Sequence, residues 1–163
     1  MEENDPKYHW TSVDQTSDPA HFVNYLDNAS SIEFFKSYKR HSYSMVNVKK
    51  GNCVLDLGCG AGDDALALAQ IVGSTGRVVG IDNSETMIAE AKKRAEGFGG
   101  HVEFRLGDAH NLDFADNTFD GCRADRVFQH LEEPKQALSE MIRVARPGAR
   151  IVINDPDWET LSL

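Results

Sequence analysis

Short apolar runs alternate with helix-like periods along the chain from residue 51 onward. Consecutive apolar positions predict buried strands, and apolar positions spaced three or four residues apart predict helices. The predicted strands are Cys53–Leu57, Arg77–Asp82, Val102–Leu106, Phe119–Asp125 and residues 150–154. The predicted helices are Asp63–Val72 and residues 84–98 and 134–145, the last with Ala137, Leu138, Met141 and Ile142 facing inward. This alternation predicts an α/β fold, a parallel sheet with helices on both faces that binds ligands at the carboxyl ends of its strands.

The first 48 residues follow a different pattern. Residues 1–16 are polar and have no period, which predicts a loose arm. Residues 18–48 have a helical pattern, and Asp18 followed by proline is a favourable helix start because the Asp side chain can cap it. The aromatic side chains of this segment favour core packing, with a lid over a ligand as the alternative. We therefore predict one globular unit, with an arm and helical cover in residues 1–48 and the main domain in residues 49–163.

Composition narrows the range of partners. The 163 residues suit one domain, and 26 acidic against 17 basic residues give a net charge of −9. Such a chain repels a phosphate backbone, which disfavours nucleic acid as a partner. Three scattered cysteines do not form a disulfide framework, so a cytoplasmic location is expected. The apolar runs are too short to span a membrane, and the six histidines show no metal-ligand spacing.

The glycine-rich segment after the first predicted strand carries the strongest chemical signal. Gly58, Gly60 and Gly62 alternate between a strand and a helix, where a tight turn must lie flat against a ligand. A dinucleotide fingerprint would place its third glycine at position 63, where Asp63 stands. Asp63 and Asp64 also put negative charge at the helix start, where a pyrophosphate would bind. The segment therefore disfavours a nicotinamide cofactor and favours a phosphate-free ligand with net positive charge.

Two acids follow the next two strands. Asp82 ends a strand and is placed to bind both hydroxyls of a ribose, and a helix cap is the alternative. Asp108 and Ala109 follow the third strand, where a carboxylate could accept from the amino group of adenine, and an ordinary turn is the alternative. Together with the glycine segment, these residues predict a nucleoside site.

The runs VLDLGCGAG, GIDNSETMIAEA, GDAHNLDFADNTFD and EMIRVARPGARIVI resemble the class I S-adenosylmethionine-dependent methyltransferases. They look most like the small-molecule branch that contains the ubiquinone and menaquinone biosynthesis methyltransferases. The resemblance implies a Rossmann-like, doubly wound sheet of order 3-2-1-4-5 and an enzyme that converts S-adenosylmethionine to S-adenosylhomocysteine.

Carried over by position, the resemblance implies a role for each matched residue. Asp56, Gly58, Gly60 and Gly62 would cradle the methionine end, and Asp82 would hold the ribose. The remaining positions would flank the adenine (Asn83, Met87), contact its edge (Asp108, Ala109) or lie near the methionyl group (Asp125, Arg126).

Methyl transfer from a sulfonium is an in-line displacement, so alignment of the reactants is the main task, worth roughly 7–11 kcal/mol. His130 follows the fourth strand and is the candidate base, with packing or capping near Glu132 as the alternative. Tyr38 and Arg40 could approach the cofactor carboxylate, or Arg40 could be an exposed charge on a helix face.

One departure from the family pattern concerns the end of the chain, which stops after the fifth strand without the usual strands 6 and 7. We expect the exposed edge at residues 150–154, or the N-terminal arm, to favour a homodimer. The predicted function is methyl transfer to an O, N or C atom of a small molecule. The alternative is a non-catalytic S-adenosylmethionine-binding module, or a truncated fragment, that acts through a partner.

Overall fold

A computed structural model describes residues 10–157, and in them five parallel strands form one sheet. The strand order is β3-β2-β1-β4-β5, which confirms the predicted fold class and topology. The strands are β1 Cys53–Leu57, β2 Arg77–Asp82, β3 Val102–Leu106, β4 Phe119–Asp125 and β5 Ala145–Asn154. The helices are α1 Pro19–Ser31, α2 Glu33–Val46, α3 Asp63–Val72, α4 Glu85–Arg94 and α5 Pro134–Val144, with 3-10 helices at Trp10–Gln15 and Phe128–His130.

The central strands are buried on both faces of the sheet. Neighbouring residues of β1 point to opposite faces, so that Val54 belongs to the core beneath α3 while Leu55 belongs to the core beneath α5. Both side chains are fully buried, and burial of a side chain of this size contributes about 1.5–3 kcal/mol. Because parallel strands all point the same way, their carboxyl ends meet along one edge of the sheet.

Helix α5 buries a narrower stripe than the sequence pattern predicts. Ala137, Met141 and Val144 are fully buried, whereas Leu138 is 37% exposed and Ile142 is 58% exposed. The prediction that Leu138 and Ile142 face inward is therefore wrong. The buried positions recur every three or four residues, so the helix contacts the sheet through a single row of side chains.

The fifth strand begins earlier than predicted, at Ala145 instead of residue 150. Ala145 pairs with Phe119, and the register then shifts before Gly121 pairs with Arg150. This irregularity contains Gly148, whose φ of 86° lies in the left-handed region. Strands β3 and β5 form the two edges of the sheet, and dimerisation through the β5 edge stays a prediction.

The segment Trp10–Gln15, here called the strap, differs most from the prediction. Residues 1–9 of the predicted loose arm lie outside the described residues, but the strap is a 3-10 helix in which Val13 is 2% exposed. The Asp14 carboxylate accepts hydrogen bonds from Ser84 Oγ (2.8 Å) and from the backbone N–H groups of Glu85 (2.6 Å) and Thr86 (3.1 Å). The strap therefore caps the start of α4, since those amides have no partner within the helix.

Helices α1 and α2 pack over the carboxyl edge of the sheet and are here called the cover. Phe22 and Val46 anchor them in the core, each with 2% or less of its surface exposed. Asp18 precedes α1 as predicted, but its side chain makes no capping hydrogen bond. Among residues 10–157, no helix is long and apolar enough to cross a membrane.

Candidate functional site

A cavity of about 1250 Å³ opens at the carboxyl ends of the strands. Its floor is formed by residues at the ends of all five strands, and the strap and the cover form its walls. This is the position at which a doubly wound sheet binds its ligands.

The turn from β1 to α3 brings bare backbone to the cavity. Gly58 and Gly60 have φ angles of 66° and 51°, a region that side chains rarely adopt. A Cβ atom on Gly58 would lie 2.3 Å from Val127 Cγ2, and one on Gly60 would lie 3.0 Å from Leu26 Cδ1. The backbone conformation therefore favours glycine at both positions, and at Gly58 the lack of space excludes a side chain as well.

Asp82 holds this turn in place from the end of β2. Its Oδ2 accepts a 2.8 Å hydrogen bond from the backbone N–H of Gly60, and its Oδ1 accepts one of 3.0 Å from Ser84. Burial raises the pKa of the Asp82 carboxyl, and the same backbone N–H groups oppose that rise. Asp82 therefore lines the cavity and also accepts a hydrogen bond from Ser84, the residue that caps α4. The predicted role in ribose binding and the alternative role at the helix start are thus compatible.

Asn83 and Met87, which follow Asp82 in sequence, connect the cavity to the strap. The Asn83 side chain donates a 3.0 Å hydrogen bond to the Thr11 backbone carbonyl. Met87 is 2% exposed, packs with Val13 and lines the cavity. The strap thus forms one wall beside Asn83 and Met87, a wall that the polar sequence of residues 10–15 did not predict.

A tight turn follows β3. Asp108 Oδ1 accepts a 2.8 Å hydrogen bond from the His110 backbone N–H and lies 2.6 Å from His110 Nδ1. The bond from the His110 backbone lowers the pKa of Asp108. Sequence reasoning missed His110, which lines the cavity with a buried and unpartnered Nε2. An Asp two residues before a histidine in a turn was the available signal.

The end of β4 meets the cover at Asp125. The Tyr38 hydroxyl donates a 2.9 Å hydrogen bond to Asp125 Oδ2, and burial raises the pKa of Tyr38 well above its ordinary value. The Asp125 side chain is 4% exposed, and its Oδ1 has no hydrogen-bond partner. Arg126 has a φ of 58°, its Nε is 3.6 Å from Asp125 Oδ2, and its guanidinium lies 5.2 Å from the centre of the Phe35 ring.

His130 ends the 3-10 helix that follows β4 and lines the cavity. Its ring centre is 6.4 Å from that of Trp10 in the strap. Burial lowers the pKa of His130, and the nearby Arg126 guanidinium lowers it further. A neutral imidazole is consequently favoured at neutral pH, which is the form that accepts a proton.

A buried charge cluster below the cavity joins the cover to the sheet. Arg123 of β4 has 1% of its side chain exposed, and its Nη1 lies 3.3 Å from Asp56 and 3.1 Å from Asp64. The cover contributes Ser42, whose hydroxyl accepts a 3.0 Å hydrogen bond from Arg123 Nε, and Lys39, whose Nζ is 3.0 Å from Asp64.

The pKa values of Asp56 and Asp64 in the charge cluster are shifted in opposite directions. Burial raises the pKa of Asp56 to about 7, in spite of the Arg123 guanidinium. Burial also acts on Asp64, but Arg123 and Lys39 outweigh it and hold the Asp64 pKa below its usual value. The Tyr43 hydroxyl donates to Asp64 as well.

Three of the predicted binding residues lie outside the cavity. Asp56 is enclosed in the charge cluster, and Gly62 packs against Phe104, whose ring a Cβ atom would approach to 2.7 Å. Arg40 pairs with Glu33 at 2.8 Å on the outer surface of α2, which is the exposed-charge alternative. The other predicted site residues line the cavity: Tyr38, Gly58, Gly60, Asp82, Asn83, Met87, Asp108, Ala109, Asp125, Arg126 and His130.

The fold is a Rossmann-like doubly wound domain, with a glycine turn after β1 and an acid after β2 at the edge of its cavity. Residues 48–162 match the family model described as a methyltransferase domain. The chain belongs to this methyltransferase-domain family, and the resemblance drawn from its sequence is confirmed.

The chain is similar to parts of several longer proteins. The demethylmenaquinone methyltransferase of Staphylococcus epidermidis is 37% identical over 138 residues, which are 85% of this chain and 57% of that protein. A solved S-adenosylmethionine-dependent methyltransferase from Aquifex aeolicus is 33% identical, with a TM-score of 0.62 over 67% of this chain and 58% of that one. The [4+2]-cyclase SpnF is 30% identical, with a TM-score of 0.67 over 72% and 44%. The chain thus spans about half the length of these relatives.

Proposed function

We propose that this chain binds S-adenosylmethionine in the cavity and transfers its methyl group to a small-molecule acceptor by in-line displacement. One observation carries the proposal. The N–H of Gly60, in a turn whose conformation favours glycine, is bonded to the carboxylate that ends β2. Backbone close enough to touch a ligand therefore lies beside an acid that can accept from ribose hydroxyls.

The residues present fit such a cofactor. Gly58 and Gly60 line the cavity with backbone that carries no side chain, Asp82 would accept from the ribose, and Asp108 or His110 would meet the adenine edge. When bound, S-adenosylmethionine supplies a methyl group on a sulfonium that is already an activated leaving group.

The cavity has room for a second molecule. Its volume of about 1250 Å³ exceeds the roughly 300–1,000 Å³ that usually holds one drug-sized ligand. Away from the nucleoside residues its wall is aromatic, with Phe34 72% exposed and Tyr25 49% exposed. Apolar surface of this kind favours an acceptor with an apolar body.

The chain's own residues would orient the acceptor and receive its proton. Tyr38 and Phe35 form the wall above Asp125, and His130 lies at the same end of the sheet with a lone pair available. Holding the acceptor in line contributes roughly 7–11 kcal/mol to lowering the barrier, and a positioned base accelerates the reaction by roughly a further 10²–10⁴-fold.

A second candidate is a binding module that performs no methyl transfer. It is favoured by the likeness to SpnF, a cyclase whose fold is shared. Incubation with cofactor labelled in its methyl group and a panel of acceptors separates the two. Labelled product supports the transferase, and cofactor binding without product supports the module.

Calorimetric titration with S-adenosylhomocysteine tests the cofactor site. We expect micromolar or tighter binding, a loss of at least tenfold in Asp82→Ala, and no change in Asp113→Ala, which removes an exposed acid of the loop before β4. Binding of NADH in place of S-adenosylhomocysteine, or equal binding by both variants, would contradict the proposal.

A further inference from the structure

The turn after β3 places a carboxylate and an imidazole in contact at the cavity wall. Asp108 Oδ1 lies 2.6 Å from His110 Nδ1 and also accepts the 2.8 Å hydrogen bond from the His110 backbone N–H. That backbone bond lowers the pKa of Asp108, so the carboxylate is ionised at neutral pH and can only accept. The contact therefore requires a proton on Nδ1, and Nε2 of the neutral imidazole then carries a lone pair.

The backbone of this turn is fixed as well. The His110 carbonyl accepts a 3.0 Å hydrogen bond from Gln136 Nε2 of α5, and the Asp108 carbonyl accepts one of 3.1 Å from the Asn111 backbone N–H. The backbone thus sets where the ring begins, and the Asp108 carboxylate sets how the ring is turned. A carboxylate bonded to one ring nitrogen also makes the other nitrogen a better acceptor.

His110 Nε2 is buried and has no hydrogen-bond partner, although His110 lines the cavity. Buried polar atoms are normally hydrogen-bonded, so an unpartnered acceptor in a cavity wall is suited to a donor from a ligand. The other cavity-lining residues with such atoms, within residues 10–157, lie at the ends of β4 and β5: Asp125, Arg126 and Asn154. The family resemblance places the first two of these near the methionyl group. His110 instead follows β3, where the resemblance places the edge of the adenine.

The Asp108 carboxylate is less suited to meet the base itself. Its Oδ1 already accepts from both N–H groups of His110, and its side chain is 65% exposed, against 24% for that of His110. A hydrogen bond in a shielded position discriminates more strongly between ligands, because water cannot replace the missing partner.

We propose that His110, and not Asp108, selects the base of the cofactor. Its Nε2 accepts from the amino group of adenine, and Asp108 is the positioning residue that orients the ring. This inference rests on the proposed function and names the residue that decides which nucleoside the site takes. Hypoxanthine carries an oxygen in place of the amino group, so two acceptors would face each other with no hydrogen between them. The site should therefore reject the inosine analogue of the cofactor.

Calorimetric titration with S-adenosylhomocysteine and with S-inosylhomocysteine tests the proposal, because the two compounds differ only in the base. At about pH 8, where an ordinary imidazole is neutral, we expect the adenine compound to bind at least about tenfold more tightly. His110→Phe keeps a ring but removes the acceptor, and should reduce this ratio to about twofold or less. The control, His41→Phe, changes an exposed histidine of α2 that does not line the cavity and should leave the ratio unchanged.

Variants of Asp108 separate positioning from direct contact. Asp108→Asn keeps an oxygen that can accept from His110 Nδ1 and should retain most of the ratio, whereas Asp108→Ala frees the ring and should lower the ratio severalfold. Equal binding of the two compounds by the wild-type protein would overturn the proposal. So would a ratio that is lost in Asp108→Ala but intact in His110→Phe, since Asp108 would then contact the base directly. Failure of S-adenosylhomocysteine itself to bind would instead contradict the proposed function.

Discussion

The two halves of the cavity are built in different ways. At the ends of β1, β2 and β3, the wall consists of a glycine turn and of acids that directly follow strands, such as Asp82 and Asp108. Beneath the cover, the wall rests on a charge cluster whose members come from α2, α3, β1 and β4. Arg123 and Ser42 are in direct contact although 81 residues separate them. The residues of the first half can be located from their positions next to strands in the sequence. The contacts of the second half join residues that are far apart in the sequence and are seen only in the folded protein.

Replacing Arg123, at the centre of the charge cluster, should give the largest loss of stability of the variants considered for the half beneath the cover. Arg123→Met should lower the free energy of unfolding by about 3–5 kcal/mol, because it leaves Asp56 and Asp64 buried without their shared cation. The control, Arg146→Met, removes an ion pair in which the arginine is 50% exposed and should lower it by no more than about 1 kcal/mol. Urea denaturation measures both. Similar losses in the two variants would mean that the cluster contributes no more than a surface pair.

Replacing Gly58 tests the half of the cavity at the ends of β1, β2 and β3. Gly58→Ala adds a Cβ atom 2.3 Å from Val127 Cγ2 at a φ of 66°, so strain and collision both act. Gly73→Ala has nearly the same φ, 65°, with nothing within 4 Å of the new atom, and should show the backbone strain alone, about 1–3 kcal/mol. We expect a larger loss of stability in Gly58→Ala, and loss of S-adenosylhomocysteine binding in that variant alone. Calorimetry of both proteins provides the comparison.

The contrast between the halves explains which residues could be predicted. The glycine turn and Asp82 were predictable, because their spacing in sequence fixes their spacing at the strand ends. Strand order followed from the family resemblance, and it is confirmed. Arg123 lies two residues before Asp125 on β4, but its contacts with Asp56 and Asp64 join β4 to β1 and α3, so only the folded chain shows that three acids surround it.

The same reasoning accounts for two misplaced residues. Asp56 lies in the sequence motif beside Gly58, but its position on β1 is buried. Arg123, its register partner on the adjacent strand β4, forms an ion pair with it. Arg40 lies two residues from Tyr38 on α2, and a helix places residues two apart on different faces, so Tyr38 faces the cavity while Arg40 faces outward.

The buried Asp56 should make the free energy of unfolding depend on pH in a way that an exposed acid does not reproduce. Burial raises the pKa of Asp56 to about 7 in the folded state, against about 3.9 when unfolded. Its contribution to stability is therefore full below about pH 4 and is lost as the pH rises through about 7. Relative to Asp56→Asn, the wild-type protein should lose at least about 1 kcal/mol of unfolding free energy between pH 5 and 8.

The matching measurement uses an exposed acid. Asp113→Asn makes the same chemical change at an exposed position in the loop before β4 and is the matched control. Urea midpoints at half-unit pH steps give both curves. If wild type and Asp56→Asn gave parallel curves, Asp56 would be ionised as readily in the folded state as in the unfolded one.

The smallest expected effects come from two candidate helix caps. Asp18 is adjacent in sequence to the helix it would cap, whereas Asp14 caps a helix that is distant in sequence. Asp18 precedes α1 and Pro19, the pattern of a helix cap, yet its side chain makes no capping bond. Asp14 was given no role by its sequence pattern, yet its carboxylate accepts from the Glu85 and Thr86 amides, 71 and 72 residues away. Asp14→Ala should therefore lower the unfolding free energy by about 1 kcal/mol, the usual value of an N-cap, and Asp18→Ala by only a few tenths. Because Asp14 also fixes the strap beside Asn83, its loss should weaken S-adenosylhomocysteine binding severalfold while Asp18→Ala leaves binding unchanged. A larger effect from Asp18→Ala would show that the local pattern, and not the folded contact, determines where the cover begins.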